Sequence, residues 1–319
     1  MSIKSGWLVI NTTDPTKTHR FWRILLSNIP GLVDTSNESI NIGSTHLWVE
    51  HLLKSVKNPD YIIRLGTYIP KINTDIPTIS LIQDIRRNTP EEYYDLHHQI
   101  EVINTSKVVV YNTLYTYTKY QKYIQNSNIK QIIIPLGIDF SFFKKIEERH
   151  PDVLPNSIIF IGTTSEYPKG FHILLKIIKE MKHMNFCVVL NHEKDITIFD
   201  EEDRHRIRLF CQVDAHMIRL LANSCVCCVC TSLEETQHLS GIECAACDIP
   251  IVARSVGLYN DLTIFKKSEW GLIADNDDFP AQINYVVNNR HLFSPRECLK
   301  MHYDLETCMR EWQNLVNLI

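Results

Sequence analysis

Apolar runs of strand length alternate with amphipathic runs of helix length from one end of the chain to the other. In the first half the strand candidates are WLVIN (7–11), SINIG (39–43), DYIIRLG (60–66), TISLIQ (78–83), KVVVY (107–111) and QIIIP (131–135). Between them, THRFWRILLSNI (18–29), THLWVEHLLKSV (45–56) and EEYYDLHHQIEVIN (91–104) space their apolar residues at helical intervals. The stretch after Asn112 continues the alternation. The second half repeats it. SIIFIG (157–162), NFCVVL (185–190), IRLFCQV (207–213), CVCCVC (225–230), IPIVA (249–253) and WGLIA (270–274) read as strands. Helices are expected at 171–183, 215–224, from about Ser240, at about 279–290 and at 296–319.

Strands that are apolar throughout, rather than alternating, belong to parallel sheets covered by helices on both faces. Two such halves, hinged near FKKIEERHPDVLPNS (143–157), predict an α/β protein of two doubly wound Rossmann-like domains, residues 1–145 and 146–319. The last helix, about 296–319, is expected to pack back on the first domain. Doubly wound sheets bind ligands at the carboxyl ends of their strands, beside helix N-termini. The cleft between two such domains is the natural site, and its residues should lie directly after strands.

Bulk properties narrow the partners. At 319 residues the chain suits two domains, and 44% hydrophobic with 22% charged residues describes a globular protein. A formal net charge of −4 gives no basic stripe for nucleic acid. No apolar segment reaches membrane-span length and no signal-peptide core opens the chain, so a cytoplasmic location is expected, with peripheral membrane contact still compatible. All ten cysteines follow residue 186, and Cys244 and Cys247 have CxxC spacing. No second pair completes four ligands, so reduced thiols acting as small core residues are expected, and no metal. His97 and His98 stand at adjacent helical positions and cannot share a face as ligands. The aromatics and lysines of YNTLYTYTKYQKYI (111–124) read as an amphipathic helix rather than a base-stacking platform.

Two stretches carry candidate chemistry. In FIGTTSEYPKGFHILL (160–175), Gly162 ends a strand and Lys169-Gly170 opens a helix. A glycine permits close backbone approach, a helix N-terminus offers free N–H groups, and Lys169 adds a full charge, which together suit phosphate. A plain turn with a solvated lysine reads equally well there. In SLEETQHLSGIECAACDIPIV (232–252), Glu235 and Glu243 flank a loop-to-helix junction. Ser240 and Glu243 fit an S-x-x-E capping box. They also fit a site in which the helix end holds a diphosphate while carboxylates on either side accept hydrogen bonds from ligand hydroxyls.

The second stretch resembles the signature of the retaining glycosyltransferases of family 4, which have the GT-B fold. A glutamate, seven residues, a second glutamate, a small-residue helix, a turn with proline, a strand and a valine-glycine correspond to Glu235, Glu243, Ala245 to Asp248, Pro250 and Val256-Gly257. IIPLGIDFSFF (133–143) is similar to the family's interdomain strand and Gly-hydrophobic-Asp turn, and FIGTTSEYPKGFHILL to its phosphate loop. The match covers most of residues 58–290. The resemblance implies a GT-B protein with an acceptor-side first domain, a nucleotide-sugar-binding second domain and an interdomain cleft. It implies a metal-independent hexosyltransferase (EC 2.4) in glycan biosynthesis, moving sugar from a nucleotide-diphosphate sugar to a glycan or glycolipid acceptor, with no cofactor. Glu235 would contact the donor sugar near the reacting carbon and Glu243 the ribose. Lys169, Gly162, Thr163 and the backbone at Leu239 and Ser240 would hold the diphosphate.

The chain departs from the family at several positions. Thr163 stands where an arginine is usual, leaving Arg254, Arg86 or Arg87 as substitute cations. NTTDPTKTHR replaces a glycine-rich loop, Gln83-Asp84 stands where a histidine often follows the strand, and Thr236-Gln237-His238 replaces Gly-Phe-Gly. These changes leave a second reading open, a GT-B module that binds a nucleotide-sugar or glycan without transferring it.

Overall fold

The computed structural model describes residues 7–10, 32–34, 60–64, 75–85, 96–165, 167–265, 269–275 and 277–318. The strand expected at 39–43, the helices at 18–29 and 45–56, and Arg86 and Arg87 lie outside them. The chain divides into two compact units, one of residues 1–135 with 309–319, the other of residues 136–308.

In the first unit the described strands are β1 (Trp7–Ile10), β2 (Leu32–Asp34), β3 (Tyr61–Arg64), β4 (Thr78–Ile82), β5 (Val108–Tyr111) and β6 (Lys130–Ile133), with helices α1 (Leu96–Thr105) and α2 (Leu114–Tyr120). They form one sheet ordered β2-β1-β3-β4-β5-β6, every pair parallel. All four residues of β5 are buried, as a strand covered on both faces requires. The Thr113 hydroxyl caps α2 by accepting from Thr116 N at 3.2 Å.

The second unit holds β7 (Ser157–Gly162), α3 (Phe171–Glu180), β8 (Asn185–Leu190), β9 (Ile207–Cys211), α4 (Ala215–Asn223), β10 (Cys227–Cys230), α5 (Leu239–Ala246), β11 (Ile251–Ala253), α6 (Leu262–Phe265), β12 (Gly271–Ile273), α7 (Phe279–Asn288) and α8 (Pro295–Tyr303). The last helix, α9 (Leu305–Leu318), starts in this unit, and its residues from Met309 group with the other. The sheet runs β12-β11-β10-β7-β8-β9, all parallel. Counted within the unit this is the doubly wound order 3-2-1-4-5-6 read from one side, with the topological switch between β7 and β10.

Alternate residues of these strands face two cores. Ile159, Val189, Cys228, Cys230, Ile251 and Ala253 pack with α4, α5 and α8 on one face; Ile158, Phe160, Val188, Cys227, Val229 and Val252 pack with α3 and α7 on the other. Helix α3 buries Phe171, Ile173, Leu174, Ile177 and Ile178, the spacing of an apolar stripe, and leaves His172, Lys176 and Lys179 outside. The ten cysteines are free thiols, and Cys227, Cys228, Cys230, Cys244 and Cys247 are all core residues. Burial pushes the Cys230 thiol up to about 12 and raises Cys227 and Cys247 as well. Thiols in that state are poor nucleophiles and poor metal ligands.

The single helix expected over 296–319 is two. Asp304 is extended (φ −64°, ψ 136°) and separates α8 from α9. The cause is tertiary. Ile138 N donates to Tyr303 O at 2.8 Å and Leu305 N to Ile138 O at 2.9 Å, a parallel bridge that needs the Asp304 peptide unwound. Gly137 permits it, since a Cβ there would stand 2.6 Å from Leu305 Cα.

Candidate functional site

The loops that leave β7 and β10 meet at the switch point. β7 closes on Gly162, whose missing Cβ leaves room for the Phe160 ring 2.8 Å from where it would stand. Thr163 Oγ1 lies 2.6 Å from Ser165 Oγ, so its hydroxyl is turned into its own loop. Gly170 is the N-cap of α3 in the left-handed region (φ 62°), and a Cβ would collide with the Thr231 carbonyl oxygen. Thr231, the first residue after β10, returns the contact: its hydroxyl donates to Lys169 O at 2.9 Å. Leu233 N donates to Pro168 O at 2.7 Å, and the Tyr167 hydroxyl donates to Glu234. The two loops are therefore sewn together by main-chain and side-chain hydrogen bonds.

That stitching sets Lys169 against Glu235, Nζ to Oε2 at 2.5 Å, with the side chains 29% and 12% exposed. Ser232 Oγ reaches Glu235 Oε2 at 3.5 Å, and Thr236 N donates to Oε1 at 3.2 Å. Burial works to raise the Glu235 carboxyl, but the Lys169 ammonium, with the Thr236 N–H, outweighs it and holds it below the usual range. Gly257 (φ 58°) seals the loop from behind, where a Cβ would stand 2.6 Å from Thr236 O and 2.7 Å from Glu235 O; Leu258 N donates to Thr236 O at 2.8 Å.

The helix after the loop starts differently from the expectation. His238, not Ser240, is the N-cap of α5, and no side chain caps it there, so the capping box does not form. The His238 ring is buried and turned to Tyr259, Nδ1 to OH 2.7 Å. Gly241 makes space for the pair, because a Cβ would strike both ring and hydroxyl. Burial pushes the His238 imidazole down to about 4, against the pull of Glu235, so the ring is neutral near pH 7. Leu239 and Ser240, both half-buried, stand in the first turn of α5, where N–H groups have no intrahelical partner. Glu243 lies one turn further and is partly exposed.

Beyond β11, Arg254 N donates to Cys230 O at 3.2 Å, which sets it beside Thr231. Its Nε is buried without a hydrogen-bond partner. Asp84 belongs to the first unit, after β4, where Tyr120 OH donates to its carbonyl at 3.1 Å. Gly162, Thr163, Lys169 and Glu235 are thus brought to the carboxyl end of the central strands of the second sheet, with the start of α5 following directly, while Asp84 stands on the other unit. Sequence reasoning noted Gln237 and His238 only as departures from the family pattern, assigned them no role, and missed Tyr259. A polar residue two places after Glu235 and a tyrosine two after Gly257 carry no motif, and only burial reveals them. Among the described residues no group of three His, Cys, Asp or Glu side chains is arranged to hold a metal, and no helix is long and apolar enough to cross a membrane.

Residues 155–289 match the model of the family described as glycosyl transferases group 1. No curated protein sequence matches the chain. Among solved structures, HepE of Anabaena in complex with UDP-glucose superposes with a TM-score of 0.76 at 14% identity, covering 98% of this chain and 100% of that one. Sucrose-phosphate synthase of Thermosynechococcus elongatus gives 0.74 at 14% identity, covering 98% and 88%. A glycosyltransferase of Rickettsia africae gives 0.71 at 13%, covering 99% and 98%. The chain has the GT-B fold, and its second unit is similar to the group 1 glycosyltransferases.

Proposed function

We propose that the protein is a retaining glycosyltransferase that takes a nucleotide-diphosphate sugar on its second unit and transfers the sugar to an acceptor hydroxyl of a glycan or glycolipid. One observation carries the reading: Lys169 and Glu235 meet at 2.5 Å at the carboxyl ends of β7 and β10, immediately before the N-terminus of α5. A cation and a helix end suit a diphosphate, and a carboxylate beside them suits sugar hydroxyls. The group 1 family match over this unit and the UDP-glucose held by HepE support a nucleotide-sugar as the donor class.

Each residue then has a task. The N–H groups of Leu239 and Ser240 and the Lys169 ammonium take the diphosphate, with Thr163 in the same loop. Arg254, with an unpartnered Nε, supplies a second positive charge. Glu243 takes the ribose hydroxyls. Glu235, held ionised, accepts from the sugar and stabilises positive charge developing at the anomeric carbon. Without donor, Lys169 and Glu235 neutralise each other; a diphosphate would share the ammonium and leave the carboxylate to the sugar. The departing diphosphate, on the same face as the incoming hydroxyl, takes up its proton, so catalysis is positioning plus charge stabilisation and needs no metal or cofactor.

Incubation with a panel of nucleotide-sugars, measuring released nucleoside diphosphate and glycosylated acceptor, tests this. Wild type should turn over one donor, and Glu235→Ala should lose that turnover while still folding, with a melting temperature lowered by the loss of the Lys169 pair. Full activity in the variant sinks the role of Glu235. The second reading, a module that binds without transfer, is favoured by the Thr163 hydroxyl being engaged by Ser165; donor binding with no turnover would select it.

A further inference from the structure

Gln237 is 5% exposed, and both ends of its amide are used on one residue. Nε2 donates to Leu136 O at 2.6 Å, and Oε1 accepts from Leu136 N at 2.9 Å. A neighbouring strand would satisfy a peptide in the same way. Leu136 is 3% exposed, so without this side chain both of its polar groups would be buried and unsatisfied.

The position of Leu136 gives the clasp its interest. It is the first residue of the second unit, directly after Pro135, the last residue of the first unit's long segment. The chain that follows is tied into the second unit. Ile138 is bridged to Tyr303 and Leu305, Asp139 Oδ1 accepts from Ser141 N and Phe142 N at 3.0 Å each, and Arg296 donates to the carbonyls of Phe140 and Phe143 at 2.7 Å each. On the other side of the clasp, Glu235 is two residues away. Its loop is held before it by Pro168 O and just after it by Leu258 N. Gln237 is the tie between that loop and the start of the unit.

We propose that Gln237 is a positioning residue that makes the Leu136 peptide part of the scaffold of Glu235, so that the backbone at the start of the second unit sets where the Glu235 carboxylate stands. This rests on the reading of Glu235 as the sugar contact, and adds a route by which a change at the junction of the two units reaches that contact. Donor affinity, carried by Lys169 and the start of α5, is left largely intact; what changes is alignment.

Two variants test it. Gln237→Met fills the space and makes neither hydrogen bond. Gln237→Glu keeps the acceptor but sets a carboxylate against the Leu136 carbonyl until it is protonated, when it again has one donor and one acceptor. Amide exchange without ligand should rise about tenfold in Gln237→Met at Leu136 and at 233–238, and stay unchanged in β8. Donor turnover should lose about tenfold or more in kcat, with KM within roughly threefold, because a small misplacement of a reacting group is costly in rate. Gln237→Glu should recover kcat as the pH is lowered from about 8 to about 5, a comparison within one protein should Gln237→Met fail to fold. The wild type is the control, since across that range His238 stays neutral and Glu235 ionised.

Unchanged exchange at 233–238 in Gln237→Met overturns the proposal, as does a loss confined to KM or a Gln237→Glu enzyme with no recovery at low pH. If the wild type turns over no donor, the functional reading fails, and the exchange measurement alone decides whether Leu136 and the Glu235 loop are linked.

Discussion

The buried His238 ring makes a stability prediction that depends only on where its proton goes. In the folded chain its pKa is pushed to about 4 from the ordinary 6.5, chiefly by burial. Between those values the folded ring stays neutral while the unfolded chain takes up a proton. Stability is therefore complete above about pH 6.5 and is lost as the pH falls toward 4. One pKa unit is worth 1.36 kcal/mol, so the loss is about 2 kcal/mol at about pH 5 and about 3 kcal/mol near the lower end. Glu235 contributes nothing in the upper window, because a carboxylate held low loses its stabilisation only below the ordinary carboxyl range. His238→Asn removes the titrating ring and keeps a polar atom near the Tyr259 hydroxyl. The variant loses ring packing at every pH, so its absolute stability falls; the difference between about pH 7.5 and about pH 5 is the informative quantity. Two units need not unfold together, so the measurement is urea unfolding followed at β7 and β10 amides by hydrogen exchange. Wild type should lose about 2 kcal/mol more than His238→Asn across that step. Equal losses, or a His238 resonance titrating near 6.5, would show that the ring is not held neutral by burial.

Two substitutions probe the loops. Gly170→Ala forces a Cβ into the left-handed region and against the Thr231 carbonyl, and should cost about 1–2 kcal/mol for the backbone alone, with added loss from the collision. Thermal unfolding checks it, and a neutral result would mean that the loops after β7 and β10 are not in register. Arg254→Met keeps the apolar stem and removes the charge; it should weaken nucleoside diphosphate binding about tenfold and leave nucleoside binding unchanged, measured by calorimetry. Equal weakening of both would show that the arginine acts on the fold and not on phosphate.

Much of the second unit was legible because its strands are apolar throughout. SIIFIG and NFCVVL are β7 and β8 residue for residue, and parallel pairing follows from burial on both faces. The strand order then brings Lys169 and Glu235 together although 66 residues separate them. What sequence could not give is tertiary. The apolar spacing of 296–319 is continuous, and only Gly137 and Ile138 explain the break at Asp304. Ser240 and Glu243 match a capping box, yet His238 takes the N-cap position because its ring is drawn into the core by Tyr259. β2 is three residues long and too short for a periodicity. Gln237 reads as one more polar loop residue, since its partner lies 101 positions upstream.

In the proposed reaction a nucleotide-diphosphate sugar binds the second unit through Lys169, Glu235 and the start of α5. The direct measurement is a thermal-shift panel of nucleoside diphosphates and their sugar derivatives on wild type and Lys169→Met. A true donor at about 100 times its dissociation constant should stabilise wild type by about 2.7 kcal/mol, and Lys169→Met should lose most of that shift. A panel in which no nucleotide moves the melting temperature would mean that the second unit is no donor site, and a Lys169→Met that responds like wild type would mean that Lys169 does not hold the diphosphate.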